Sequence, residues 1–156
     1  MRAGAAARLA VVLSGLAAAP VHATLGEPAA SIDADTARLG RASRVLAASP
    51  TPTVRQHVIT LADGSVIREY VGANGLVFAV SWNTRFKPRL DALLGQYAPT
   101  YAAAASQAAL APGIRHSVAF AQGDLVVDAT AHLNAHAGLA WLRSLVPAGV
   151  RIDDLR

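Results

Sequence analysis

Two glycine turns eleven residues apart do more than any other feature to limit what this chain can fold into. Asp63-Gly64 and Asn74-Gly75 punctuate Val54 to Trp82, a stretch that holds most of the β-branched and aromatic residues. Both dipeptides suit tight hairpin loops, whose central positions need positive φ. Two such signals in succession predict a three-stranded antiparallel meander. As two-residue loops they place Tyr70 opposite His57 across the first hairpin and opposite Ala79 across the second. Leu76 to Trp82 is almost continuously apolar, which suits a strand covered on both faces. Tyr70, Phe78, Val80 and Trp82 are the principal core candidates.

From Asn83 the period changes. Leu90, Leu93, Leu94 and Tyr97 follow i, i+3, i+4, i+7 spacing and predict a helical stretch starting at Lys87-Pro88. Pro99 fits the first turn of a second helical run, Ala102 to Leu110, closed by Pro112-Gly113. Beyond Ile114 the period returns to two. Ser117 to Ala121 and Leu125 to Thr130 flank a Gln122-Gly123-Asp124 turn, Ala131 to Ala137 adds strand, and Val146-Pro147-Ala148-Gly149 ends the ordered region. The order is antiparallel β-meander, central helical segment, second β-meander: a single small α+β domain.

What precedes it divides in two. In residues 1–23, Arg2 and Arg8 form a positive n-region, Leu9 to Ala19 an apolar run broken by Pro20, and Val21-His22-Ala23 a cleavage site before Thr24. These are the parts of a signal peptide. The run is far short of the ~20 residues that span a bilayer, and no second run follows. The mature chain is therefore expected to be periplasmic or secreted, without a transmembrane segment. Residues 24–52, rich in Ala, Ser and Pro, read as a flexible or weakly helical tether, leaving 53–156 as the α+β domain. Ser31 to Ala47 carries the helical features: Ser31 as a cap, Asp33 and Asp35 near the positive end, Arg38, Arg41 and Arg44 toward the negative end.

Charge and motifs exclude several functions. The isoelectric point near 10.3 invites a nucleic-acid reading. Without Arg2 and Arg8, however, twelve basic residues stand against ten acidic ones, scattered rather than gathered on a face with aromatics. No nucleic acid is expected. The absence of cysteine excludes thiol nucleophiles, thiolate metal sites and disulfides. GxSxG, HExxH, GxGxxG, P-loop and EF-hand patterns are all missing, and no cofactor is implied.

Histidine and the Arg68-Glu69-Tyr70 run supply the candidate sites. On a helix, His132 and His136 would sit one turn apart and share a metal. On a strand, as Leu125 to Ala137 reads, they point the same way roughly 13 Å apart, too far for one ion. Arg68, Glu69, Tyr70 and His57 are the candidates for contact with a ligand or partner. Arg68 and Tyr70 share one strand face and Glu69 takes the other. Arg68 would anchor an anion. Alternatively, Arg68 and Glu69 meet cross-strand partners while Tyr70 packs and hydrogen-bonds at the core margin.

Several pieces together resemble an uncharacterised family of exported Gram-negative proteins, domain of unknown function family 2844. They are Leu25-Gly26, Asp63-Gly64, Arg68-Glu69-Tyr70-Val71, Gly75-x-Val77-Phe78-Ala79-Val80-x-Trp82, Pro88-x-Leu90, Leu94-Gly95-x-Tyr97 and Pro147-Ala148-Gly149-Val150. The family favours Gly-Pro shortly after the tryptophan, where this chain has Asn83 to Lys87 before Pro88. The resemblance implies export and one domain but brings no activity or site with it. The expectation is a non-enzymatic binding or accessory protein of the cell envelope, partnered by another envelope protein. The alternative is a small periplasmic hydrolase or metal-dependent enzyme using His57, His116 or the later histidines. Histidines close to a carboxylate in a pocket would favour the enzyme, and an exposed apolar patch or open sheet edge the binder.

Overall fold

The computed structural model describes residues 25–39, 42–47, 49, 51–110 and 117–156. The expected leader, Pro112-Gly113 and His116 lie outside them.

The first meander forms from β2 (Arg55–Leu61), β3 (Val66–Val71) and β4 (Val77–Thr84). Its loops hold three residues each, not two. In the first, the Gly64 amide donates to the Leu61 carbonyl (3.0 Å), the Leu61 amide to the Ser65 carbonyl (2.9 Å), and the Ser65 amide to Asp63 Oδ1 (2.9 Å). Gly64 sits at φ +81°, the left-handed position that closes a three-residue hairpin. The extra residue slides the pairing by one, so Glu69 faces His57 and Gln56 faces Tyr70. The second loop repeats the geometry, with Gly75 at φ +80° and the Gly72 amide on the Leu76 carbonyl (3.0 Å). There a bulge beside Tyr70 and Val71 absorbs Phe78 and returns Tyr70 to Ala79.

The second meander is β5 (Ser117–Gln122), β6 (Leu125–His132) and β7 (Ala135–Leu142). Leu125 to Ala137 is therefore not one strand. It turns at Leu133-Asn134, with Asn134 at φ +58°, a conformation Asn tolerates better than most residues. Because β4 pairs with β7, the meanders fuse edge to edge into a seven-stranded antiparallel sheet, ordered β1-β2-β3-β4-β7-β6-β5. α2 (Leu90–Leu94), a 3₁₀ turn (Gly95–Tyr97) and α3 (Ala98–Leu110) lead from β4 in the middle of the sheet to β5 at its edge. Helices on an antiparallel sheet make this the expected α+β class.

Within the expected tether, two stretches of the described residues form regular elements. Ser31–Arg38 forms α1, and Ala42–Ala47 forms β1, which pairs along β2. Two forces draw the segment in. Leu25 and Ile32 enter the core at 1% and 0% exposure, each contributing roughly 1.5–3 kcal/mol. The open backbone edge of β2 gains a partner in β1. The helix is shorter than 31–47 because Ala42–Ala47 satisfies that edge instead.

Two cores result. On the helical face, Leu25, Ile32, Leu90, Leu93 and Leu94 pack over Ile59, Ile67, Val80, Trp82, Val127 and Leu142. On the back face, Tyr70, Phe78, Ala79 and Leu139 lie under Val146, Val150, Ile152 and Leu155. The chain thus stays ordered past Gly149. Leu155 is wholly buried and its carbonyl accepts the Tyr70 hydroxyl at 2.8 Å.

Where the meanders meet, Trp82 pairs with Gly138 and its indole lies over the missing side chain. A β-carbon at Gly138 would overlap the ring, with Cε2 only 2.6 Å away. Gly138→Ala is therefore expected to cost about 1–3 kcal/mol, as overpacking does, and Tyr70→Phe about 1 kcal/mol for its lost hydrogen bond. Urea denaturation checks both; a Gly138→Ala protein as stable as the parent would show that the indole can move aside freely.

Candidate functional site

Three places gather polar or ligand-sized features, and the expected site residues are shared among them. The first is built on two enclosed acids. Glu69 and Asp35 are both fully buried on the helical side. Arg38, one turn along α1, stands 3.7 Å from Asp35. From β1, Arg44 reaches Asp33 of α1 and donates to His57 Nδ1 at 2.9 Å. An arginine can only donate, so that nitrogen accepts and the neutral imidazole carries its proton on Nε2. Burial, then the Arg44 and Arg55 charges, push the His57 pKa below its ordinary 6.5, against a smaller upward pull from Asp33. Neither Glu69 oxygen has a hydrogen-bond partner among the described residues. Burial foremost, and then Asp35, drive its pKa well above the ordinary 4.5, with Arg44 opposing. Both shifts favour the uncharged forms, of the Glu69 carboxyl and of the histidine it faces across the strands. Enclosed as it is, Glu69 offers nothing for a substrate to reach.

The second place is the polar half of the back face. Arg68, Ser81, Leu139 and Asp128 form one cross-strand row over β3, β4, β7 and β6. The next row places Asn83, Ala137 and Thr130 beside them. These residues and Arg156 line a hollow of about 300 Å³, with Arg156 paired to Asp128. Arg68 lies between Val58 and Ser81, so it has no cross-strand acid. Glu69 likewise lies between His57 and Val80. Of the alternative roles, only that of Tyr70 is filled: it packs on Phe78 at 6.4 Å and donates to Leu155. Burial raises its pKa above 10.

The third lies under α3. Tyr101, Ala104, Ala105 and Ala108 make the half-buried stripe of this helix, and none of its residues is fully buried. Alanine reaches only one carbon toward the sheet. Tyr101, resting on Phe120 at 6.4 Å, props the helix away. A cavity of about 180 Å³ remains, walled by Trp82, Leu90, Tyr101, Ala105, Val118 and Ala129, with Lys87, Ser117, Thr130 and His136 among its polar groups. It adjoins a wider groove of about 670 Å³ along Pro88, Tyr101 and Ala105.

His132 and His136 do not meet. Ala131 pairs with His136 and His132 with Ala135, so the two histidines stand on opposite faces of the sheet. They are not on one strand face, as the unbroken reading of Leu125 to Ala137 had them. Among the described residues no group of three or more His, Asp or Glu side chains is placed to hold a metal.

Sequence reasoning missed Asp35 and Arg44, which it had placed in a tether, and the cavity under α3. Ser31, Ile32 and Asp35 already shared a helical face, and alanines at i+3, i+4 and i+7 from Tyr101 signalled a helix too slender to fill its seat.

The Glu69 arrangement makes stability depend on pH in a definite direction. Its folded pKa is raised, so its favourable contribution is complete below the ordinary value of 4.5 and is lost as pH rises toward the folded pKa. Glu69→Gln keeps the shape and removes the ionisation. Parent and variant are expected to match near pH 4, with the variant ahead by more than about 1.4 kcal/mol near pH 7, the worth of one unit of displaced titration. Chemical denaturation across that range measures it, and a constant difference would contradict the assignment.

Comparison with known proteins adds one relationship. No curated protein and no solved structure matches the chain. A family model described as Protein of unknown function (DUF2844) matches residues 21–155, which takes in both meanders, the helices and the segment with α1 and β1. Extending over most of the sequence, that match shows that the chain belongs to this uncharacterised family.

Proposed function

We propose that the protein is exported to the cell envelope and works by binding, taking the apolar chain of an amphiphile beneath α3. The cavity carries this reading. Its walls are aromatic, aliphatic and alanine side chains, and polar groups are few, as in sites that hold small apolar ligands. Lys87 lines both the cavity and the groove and has no ion-pair partner among the described residues. An anionic head group would complement it. The amino-terminal pattern of Arg2, Arg8 and the apolar run to Ala19 supports export, with cleavage before Thr24.

A protein partner in the envelope is the second reading, favoured by β1. It is an outer strand of the sheet, and Val45 and Leu46 stand 58% and 64% exposed on its two faces. The hydrolase alternative gains no support from the sealed Glu69 or from histidines on opposite faces.

Titration with dodecanoate tests the cavity. Ala105→Leu extends a side chain into it, and is expected to raise stability by about 1 kcal/mol while weakening dodecanoate binding at least tenfold. Lys87→Gln should weaken the acid but not dodecanol. Equal binding by parent and Ala105→Leu proteins would remove the cavity as the site. Amino-terminal sequencing of protein from the periplasmic fraction checks export, with Thr24 expected first.

A further inference from the structure

We infer that the back-face hollow around Arg68 is a second, separate binding site, for a small carboxylate bearing a hydroxyl or similar hydrogen-bonding group. The sheet itself makes the hollow. Ser81 and Ala137 are small, so the floor between β3 and β6 is low, while Arg68 on one side and Asp128 with Arg156 on the other are long. The carboxy-terminal segment covers the neighbouring row of Tyr70, Ala79 and Trp141 together with Leu139, and leaves Asn83, Ala137 and Thr130 of the next row open beside Arg68.

The charges within the hollow are unequal. Asp128 is neutralised by Arg156, and Arg68 has no acid among the described residues. Glu69, its neighbour in sequence, faces the other side of the sheet. A guanidinium cannot relieve a half-buried position by losing its proton, as a carboxyl can. An anion in the hollow would compensate it, and the planar fork of an arginine matches a carboxylate with two parallel hydrogen bonds. Asn83 and Thr130 offer amide and hydroxyl groups beside it. About 14 Å of sheet, three strand spacings, separates the Arg68 and Asp128 backbones. A compact ligand therefore fits with its carboxylate on Arg68 and its donor groups toward the far side.

Titrating the full mature chain with lactate, lactamide and inorganic phosphate, followed by amide chemical shifts, tests this. Lactate is expected to shift β3, β4 and β7 resonances saturably, and lactamide not to. Arg68→Gln should weaken lactate at least tenfold and Arg68→Lys by less, with the dodecanoate titration unchanged in both. Thr130→Val, which retains Arg68 and its volume, should weaken lactate without abolishing it. No saturable lactate binding to the parent, equal binding by the Arg68→Gln protein, or tighter binding of phosphate than of lactate would each overturn the proposal. The dodecanoate result stands independently of all three.

Discussion

Everything else in this fold presupposes the junction of β4 with β7. Each meander alone would expose an apolar strand edge, and neither has enough large side chains for a core of its own. Joined, they bury β4 on both faces, with every residue from Val77 to Trp82 enclosed. The junction closes because Gly138 lets the Trp82 indole lie flat across β7. Only then is the sheet wide enough for α1 and α2 on one face and the carboxy-terminal segment on the other. With so few aromatics, the chain concentrates burial at this seam instead of spreading it. No disulfide backs it up, since there is no cysteine.

Much of the architecture was legible in the sequence, because turn chemistry and hydrophobic period are local. Strand, helix and strand segments followed in the expected order, and Tyr70, Phe78, Val80 and Trp82 are all within 3% of complete burial. The errors came where one residue decides a face. Asp63-Gly64 is compatible with a two- or a three-residue loop, and the Leu61 amide bonded to the Ser65 carbonyl settles it. That single step moved His57 from Tyr70 to Glu69, from one side of the sheet to the other. At the second loop the bulge at Phe78 offset the same step, so the Tyr70–Ala79 pairing was right although the loop was not two residues long.

The amino-terminal segment was illegible for a different reason. Its composition is that of a linker, and Ala42–Ala47 has little strand character of its own. What makes it a strand is the open edge of β2, which is non-local. Likewise, α1 is held by Leu25 and Ile32 docking on residues far along the chain. The cluster in which buried Asp35 and Glu69 meet the outer Arg44 and half-buried His57 exists only because this segment returns to the sheet. No motif could mark it, since its members come from four elements, α1, β1, β2 and β3, that the fold has first to align. The cavity under α3 was hidden for the converse reason. It is a lack of side-chain volume, which becomes visible only once Tyr101 and Phe120 have fixed the height of the helix.

Arg68 and Glu69 show how the pleat turns adjacency into separation. Two opposite charges next to each other in sequence look like a ready pair, yet on a strand they can never meet. The sheet sends the acid inward and the base to the open hollow, and neither has a cross-strand partner of opposite charge. The acid can adapt chemically by holding its proton. This makes it a structural group, tolerated by burial and helpful only where pH is low. The base has no such escape, and its position is open. An unmatched charge that is sealed speaks of folding, whereas one facing a hollow speaks of a ligand. By that reasoning the functional half of the Arg-Glu-Tyr run is its first residue.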